Sequence, residues 1–257
     1  MSNQTSNRRV ALVTGAADRI GATLARALAA DGHQVIVHFR SSLADAEAVV
    51  ASIVADGGVA AAVQADLCVR SERRELISRA ASVFGPLTVL INNASLFDPD
   101  SINDLTEELW DRHMAVHLEA PAFLSRDFAA QLPEGVAGNI VNIIDERVLH
   151  LSPAYFSYTL SKAALWDMTR TLAQSLAPAI RVNAIGPGPI LPHKRQSEQA
   201  FASSVAASIL ERSASPDEIA EAVLFLLKSA AITGQMLALD GGKHLEYRPS
   251  RAKTPRV

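Results

Sequence analysis

Short apolar runs alternate with longer stretches of helical period along almost the whole chain. The runs are VALVT (10–14), VIVHF (35–39), VAAAVQA (59–65), LTVLI (87–91), NIVNII (139–144), IRVNAI (180–185) and MLALD (236–240). Each is apolar at nearly every position rather than at every second one, which predicts strands covered on both faces. After the first run, Ile20, Leu24, Ala27 and Leu28 share one helical face, and Gly32 is placed to end that helix. Further helices are expected near 44–55, 71–83, 106–130, 155–176 and 216–229, the last opened by Ser215-Pro216-Asp217-Glu218. Strands and helices in alternation predict an α/β fold: a doubly wound parallel sheet of about seven strands, with right-handed crossovers and helices on both faces. No linker, repeat or low-complexity segment breaks the pattern, so one domain is expected over 10–242, between a polar tail at 1–9 and a basic tail at 243–257.

In such a sheet the first strand-to-helix turn presents free backbone N–H groups and the positive end of a helix, which suits a pyrophosphate. Here Gly15 and Gly21 permit a tight turn and close backbone approach, and Ile20-Gly21 enters the helix. A turn with two glycines also serves plain packing. Its place after the first strand, with a second βα unit following, favours a dinucleotide and a Rossmann-type domain. Arg19 is the anomaly, a bulky cation where one more glycine would be expected.

The end of the second strand bears on which dinucleotide. An NAD site usually places an acidic residue there for the ribose hydroxyls, and that residue would repel a 2′-phosphate. The strand reads VIVHFRSS, with no Asp or Glu before Asp45; Arg40 can fork onto a phosphate while Ser41 and Ser42 donate hydrogen bonds. NADP(H) is favoured over NAD(H). The alternative is that Arg40 is an ordinary surface charge.

Composition adds limits. At 257 residues, 49% hydrophobic and 5% aromatic, the chain can bury a full core and suits a globular enzyme. A net charge of -3 gives no sign of nucleic-acid binding. The last fifteen residues carry Lys243, Arg248, Arg251, Lys253 and Arg256, which read as a solvated end or a subunit contact before they read as a nucleic-acid arm. The single cysteine, Cys68, rules out an internal disulfide and fits a reducing cytoplasm. The polar start MSNQTSNRRVALV is too weakly apolar for a signal peptide or membrane span, so no membrane partner is expected.

YTLSKAAL places Tyr158 and Lys162 four apart, on one face of a predicted helix. A phenol near its reference pKa of about 10 is a poor acid at neutral pH, and a nearby ammonium would bring it toward the working range. Alone, the pair reads as a surface pair; with the cofactor turn it reads as catalytic.

From Val10 to about Gly242 the chain resembles the short-chain dehydrogenases/reductases. The resemblance rests on Thr14-Gly15 to Ile20-Gly21, Asp66-Leu67, Asn92-Asn93-Ala94, Tyr158 to Lys162, Asn183 to Gly188, and Asp240-Gly241-Gly242. It implies Tyr158 as proton donor, with Lys162 lowering its pKa and binding the nicotinamide ribose. It also implies that Asp66, beside Leu67, bonds the adenine, and that Asn93, Ala94 and the backbone of Pro187, Gly188 and Ile190 support the nicotinamide side. Asp66 could equally cap a turn, and Asn92-Asn93 could simply end a strand.

Two positions depart from the commonest pattern of that family, which has a Ser thirteen residues before the Tyr and an Asn on the preceding helix. Here they hold Asp145 and His117. A hydroxyl suits polarisation of a ketone oxygen, whereas an ionised carboxylate would repel its developing charge. Asp145 instead suits a substrate with N–H donors or a ring nitrogen to be protonated, unless it is only a turn residue. With Arg19, TGAADRIG, Phe39-Arg40, NNASLF and DGGKHL, this resembles the pteridine reductases and the related bacterial dihydromonapterin reductases. The resemblance implies that Arg19 reaches toward cofactor phosphate and pterin, that Ser95 contacts both ligands, and that Phe97 covers the pterin ring. Phe97 could also be core or lid. It further implies a homotetramer and no metal.

The expected reaction is hydride transfer from NADPH to a C=N bond of a pterin, such as a dihydropterin, dihydromonapterin or a dihydrofolate-like substrate. Tyr158 delivers the proton, Asp145 holds Tyr158 or the substrate, and the segment 191–213, with His193, Lys194 and Arg195, forms a mobile lid. The competing expectations are a reductase of a ketone such as a 3-oxoacyl thioester, and a non-catalytic NADP(H)-binding regulator.

Overall fold

The computed structural model describes residues 9–192 and 197–245. In chain order its main elements are β1 (Val10–Val13), α1 (Arg19–Ala30), β2 (Gln34–Phe39), α2 (Leu43–Ala55), β3 (Val59–Gln64), α3 (Arg70–Phe84) and β4 (Val89–Asn92). They continue with α4 (Glu107–Met114), α5 (Ala120–Gln131), β5 (Gly138–Ile143), α6 (Phe156–Leu176), β6 (Ile180–Pro187), α7 (Glu198–Ala206), α8 (Pro216–Lys228) and β7 (Met236–Leu239). The strands form one parallel sheet in the order β3-β2-β1-β4-β5-β6-β7.

In the inner strands the unbroken apolar runs have the expected cause, whereas the edge strands β3 and β7 are only partly buried. All four residues of β1 are buried; Ala11 and Val13 pack on one face of the sheet and Val10 and Leu12 on the other. Leu24 and Leu28 of α1, Val49 of α2 and Val223 of α8 cover the first face. Leu76 of α3, Leu124 and Phe128 of α5 and Ala173 of α6 cover the second. Helix α8 opens on a capping box: Ser215 Oγ accepts the Glu218 N–H, and the Glu218 carboxylate accepts the Ser215 N–H. Strand order reverses between β1 and β4, and the crevice at the carboxyl ends of those strands is where ligands enter sheets of this kind.

The helix expected over 106–130 is interrupted. Between α4 and α5 the chain widens into a π turn at Ala115–Glu119. Pro121 stands at the start of α5 and has no N–H for the carbonyl one turn back, so the regular ladder cannot run through. The turn carries His117 inward. Of the 191–213 segment, α7 is described, whereas His193, Lys194 and Arg195 lie outside the described residues. So do 1–8 of the N-terminal tail and Arg248, Arg251, Lys253 and Arg256 of the basic tail. Among the described residues, no helix is long and apolar enough to cross a membrane.

Candidate active site

A cavity of about 960 Å³ opens along the carboxyl edge of the sheet, and every residue named above as catalytic or ligand-binding lines it. One end is walled by Arg40, Ser41, Asp66 and Leu67, the middle by Gly15, Ile20, Gly21, Asn93 and Ala94. The other end holds Arg19, Ser95, Phe97, Asp145, Tyr158, Lys162, Pro187, Gly188 and Ile190.

The first turn is clamped from two sides. Gly15 has φ +62°, and its N–H donates to His38 Nδ1 at 3.0 Å. His38 Nε2 meets the Ala65 carbonyl at 3.0 Å, so Nε2 carries the proton, and burial lowers the imidazole pKa to about 4. From the other side, Asn93 Nδ2 donates to the carbonyls of Thr14 at 2.9 Å and Gly15 at 3.0 Å. A Cβ on Gly21 would come 2.1 Å from the Gly15 carbonyl oxygen and 2.6 Å from Asn93 Nδ2. The side chain of Asn93 thus shapes the turn. At the start of α1, Asp18 makes no side-chain cap bond, so the first N–H groups of the helix are left for a ligand.

At the far wall, Arg40 is exposed, and Asp66, which lines the same cavity, accepts the Cys68 N–H on its Oδ1 at 2.8 Å. Asp66 therefore caps a turn and lines the cavity at once. This end, with a free guanidinium edge and two hydroxyls, fits the phosphate-bearing ribose of NADP(H), and the clamped glycine turn fits its pyrophosphate.

The catalytic end is built on β5 and α6. Tyr158 is 4% exposed, and its Oη donates to Asp145 Oδ2 at 2.7 Å. Asp145 Oδ1 accepts the Arg147 N–H at 2.9 Å, which fixes the carboxyl in place. Burial lifts the Asp145 pKa above the ordinary carboxylate value. Burial, and then the Asp145 charge, push the Tyr158 phenol well above 10. The expectation that Lys162 lowers the Tyr158 pKa is not what this geometry shows. Lys162 Nζ donates to the Ile143 carbonyl at 2.8 Å and lies 5.8 Å from the centre of the Tyr158 ring, and burial brings its own pKa down to about 8. Here Tyr158 is set by burial first and by Asp145 second.

Arg19 also departs from expectation. It adopts φ +51°, and its guanidinium donates to the carbonyls of Leu191 at 3.2 Å and Pro192 at 3.1 Å. The arginine in the glycine position therefore ties the cofactor turn to the start of the 191–213 segment while remaining on the cavity wall. Phe97 does not present both faces to the cavity: Tyr155 stacks on it at 4.2 Å and 8°, and Tyr158 meets it edge-on at 4.8 Å. The Arg147 guanidinium lies 4.9 Å from the Tyr155 ring centre.

Beneath this floor lie residues that sequence reasoning left without a role. His117 Nε2 accepts the Leu96 N–H at 3.0 Å and faces Ser95 Oγ at 3.0 Å. Ser161 Oγ donates to the Tyr158 carbonyl at 2.7 Å, so His117 Nδ1 must supply the proton of its 2.9 Å bond to Ser161. His117 is neutral with its proton on Nδ1, and burial holds its pKa well below the usual value. Alongside it, Asp100 accepts the N–H and the hydroxyl of Ser157, and Ser157 Oγ lies 2.7 Å from His113 Nδ1. These contacts set the first turn of α6, and with it Tyr158.

This arrangement fits a nucleotide-dependent oxidoreductase. The family model described as enoyl-(acyl carrier protein) reductase matches residues 15–244, and the chain belongs to the short-chain dehydrogenase/reductase family. It is 38% identical to an uncharacterized oxidoreductase of Methylorubrum extorquens over 242 residues, covering 91% of this chain and 97% of the relative. It is 34% identical to a 3-oxoacyl-[acyl-carrier-protein] reductase of Synechocystis sp., covering 91% and 96%. Among solved structures, FolM alternative dihydrofolate reductase 1 of Brucella suis, in complex with NADP, is 47% identical with a TM-score of 0.91, covering 95% of this chain and 98% of that one.

Proposed function

We propose that the chain is an NADPH-dependent reductase of a C=N bond in a pterin: a dihydropterin, dihydromonapterin or a dihydrofolate-like substrate. The observation that carries this reading is the 2.7 Å hydrogen bond from Tyr158 Oη to Asp145 Oδ2. Where a ketone reductase needs a neutral donor for a developing oxyanion, this site places a carboxyl group. A carboxyl accepts N–H bonds from an amino-heterocycle and supports a tyrosine that gives its proton to nitrogen. The likeness to dihydrofolate reductases of the FolM type supports the same substrate class.

When bound, NADPH supplies the hydride; the residues of this chain manage the proton and the alignment. Tyr158 keeps its proton at neutral pH and is the donor to the substrate nitrogen; burial and Asp145 make the phenol a weaker acid, so the transfer relies on that nitrogen turning strongly basic as hydride reaches the C=N carbon. Asp145 accepts the phenol's hydrogen bond and holds Tyr158 Oη at the substrate end, and the proton that Tyr158 gives up is replaced from solvent. Ser95 and Phe97 orient the ring, and Arg19 braces the 191–213 segment, which acts as a lid. Arg40 and Ser41 select the 2′-phosphate, Asp66 and Leu67 border the adenine, and Lys162 meets the nicotinamide ribose.

The second reading, reduction of a 3-oxoacyl thioester or similar ketone, draws on the Synechocystis relative. An NADPH-oxidation assay across oxidised and dihydro pterins, with a ketone panel beside it, tests both. Turnover of a dihydropterin is expected; turnover of ketones alone would overturn the proposal. We further expect a homotetramer in the cytoplasm, using exposed apolar side chains such as Phe225 and Leu160 at its interfaces, which sedimentation would detect.

A further inference from the structure

Two charged groups on the cavity wall have no part in the chemistry above: Glu146, next to Asp145, and Lys243 of the Asp-Gly-Gly-Lys-His-Leu stretch. Glu146 is 5% exposed, with Oε1 3.8 Å from Lys243 Nζ. Its Oε2 is buried and has no hydrogen-bond partner among the described residues. A buried carboxyl with an unmade bond lowers stability, so packing alone does not account for it. Lys243 also faces the lid, since its Nζ donates to Ser204 Oγ, on α7, at 2.7 Å.

The turn that bears Lys243 is shaped to aim it. Asp240 Oδ1 accepts the Gly242 N–H at 2.9 Å, and Oδ2 accepts the His244 N–H at 2.8 Å. Gly241 has φ +63°, and a Cβ there would meet the Arg212 carbonyl oxygen at 2.5 Å. The glycine pair thus lets the chain double back, carrying Lys243 between α7 and the loop after β5.

We propose that Glu146 and Lys243 are positioning residues: the carboxylate anchors the ammonium, and the ammonium holds Ser204, keeping α7 against the substrate end of the cavity. The claim rests on this cavity being the active site and not on which substrate enters it. Losing either charge frees α7, and the substrate is then held less tightly while the cofactor end is untouched. Burial and the neighbouring Asp145 and Asp240 raise the Glu146 pKa, Lys243 and Arg147 oppose them, and the result is about 7. The clasp therefore strengthens as pH rises through neutrality and loosens below it.

The test is hydrogen exchange of peptides spanning 198–206, in protein saturated with NADPH, corrected for intrinsic exchange rates. At pH 8, Glu146→Gln and Lys243→Met should each speed exchange by about threefold or more, and the double variant should add nothing further. Wild type should show the same loosening between pH 8 and pH 6, and Glu146→Gln should not respond to pH. Both variants should raise the KM of whichever substrate the NADPH assay identifies, with kcat and NADPH affinity within about twofold. Unchanged α7 exchange in either folded variant, or additive effects in the double variant, would overturn the proposal. Should Glu146→Gln fail to fold, Lys243→Met, at a partly exposed side chain, carries the same decision.

Discussion

His117 Nε2 accepts the backbone N–H of Leu96 at 3.0 Å, so a buried imidazole on the π turn fixes the loop that carries Ser95 and Phe97. Replacing it leaves buried polar groups unpaired, a loss of about 1–3 kcal/mol. His117→Ala should therefore lower the melting temperature and raise the KM for substrate about tenfold, with a much smaller effect on NADPH affinity. Thermal melts with steady-state kinetics check this; equal damage to both ligands would point to general loosening.

Arg40 bears on cofactor choice. It stands exposed at the end of β2, beside Ser41 and Ser42. Arg40→Glu places a carboxylate where the 2′-phosphate is expected, and should weaken NADPH binding tenfold or more, about 1.4 kcal/mol, while NADH binding holds or improves. Fluorescence titration with both cofactors is decisive.

Gly21 cannot take a side chain without moving the cofactor turn, since a Cβ would sit 2.1 Å from the Gly15 carbonyl oxygen. Gly21→Ala should lower both stability and NADPH affinity. Gly57, with open space around its Cβ position and φ +81°, is the control: alanine there should be mildly destabilising and leave cofactor affinity unchanged.

Lys162 sets a pH limit. Burial depresses its folded pKa to about 8, from an ordinary value of 10.5. A depressed pKa means that its contribution to stability is present above about 10.5 and lost as pH falls through about 8, where the buried ammonium must be carried. Lys162→Met should thus melt no lower than wild type at pH 7 yet lose nearly all activity. In wild type, kcat/KM for reduction should decline as pH rises through about 8, as the ammonium loses its charge.

The strands were legible because both faces of the sheet are covered, which leaves a signal as plain as VALVT or IRVNAI. The cavity lining was legible because Gly15, Asn93 and Tyr158 sit at element ends fixed by the topology, and Lys162 lies one helical turn beyond Tyr158. What local pattern could not show is who meets whom. Nothing in DRHMAVHLEAP announces a π turn except Pro121. The Tyr155–Phe97 stack and the Asp100–Ser157–His113 chain join segments more than forty residues apart. The resemblance made Arg19 a ligand contact, yet among the described residues its guanidinium bonds the carbonyls of residues 191 and 192, far along the chain. Glu146 carried no periodic or motif signal; its burial and proximity to Lys243 exist only in the folded chain.

The most direct test compares wild type and Asp145→Ser, each supplied with NADPH and either a dihydropterin or a 3-oxoacyl thioester. Removing the carboxyl bonded to Tyr158 should cut dihydropterin reduction by about a hundredfold or more, leave NADPH affinity within about twofold, and if anything improve ketone turnover. Undiminished pterin reduction in Asp145→Ser, or a wild-type enzyme that turns over only the ketone, would contradict the account.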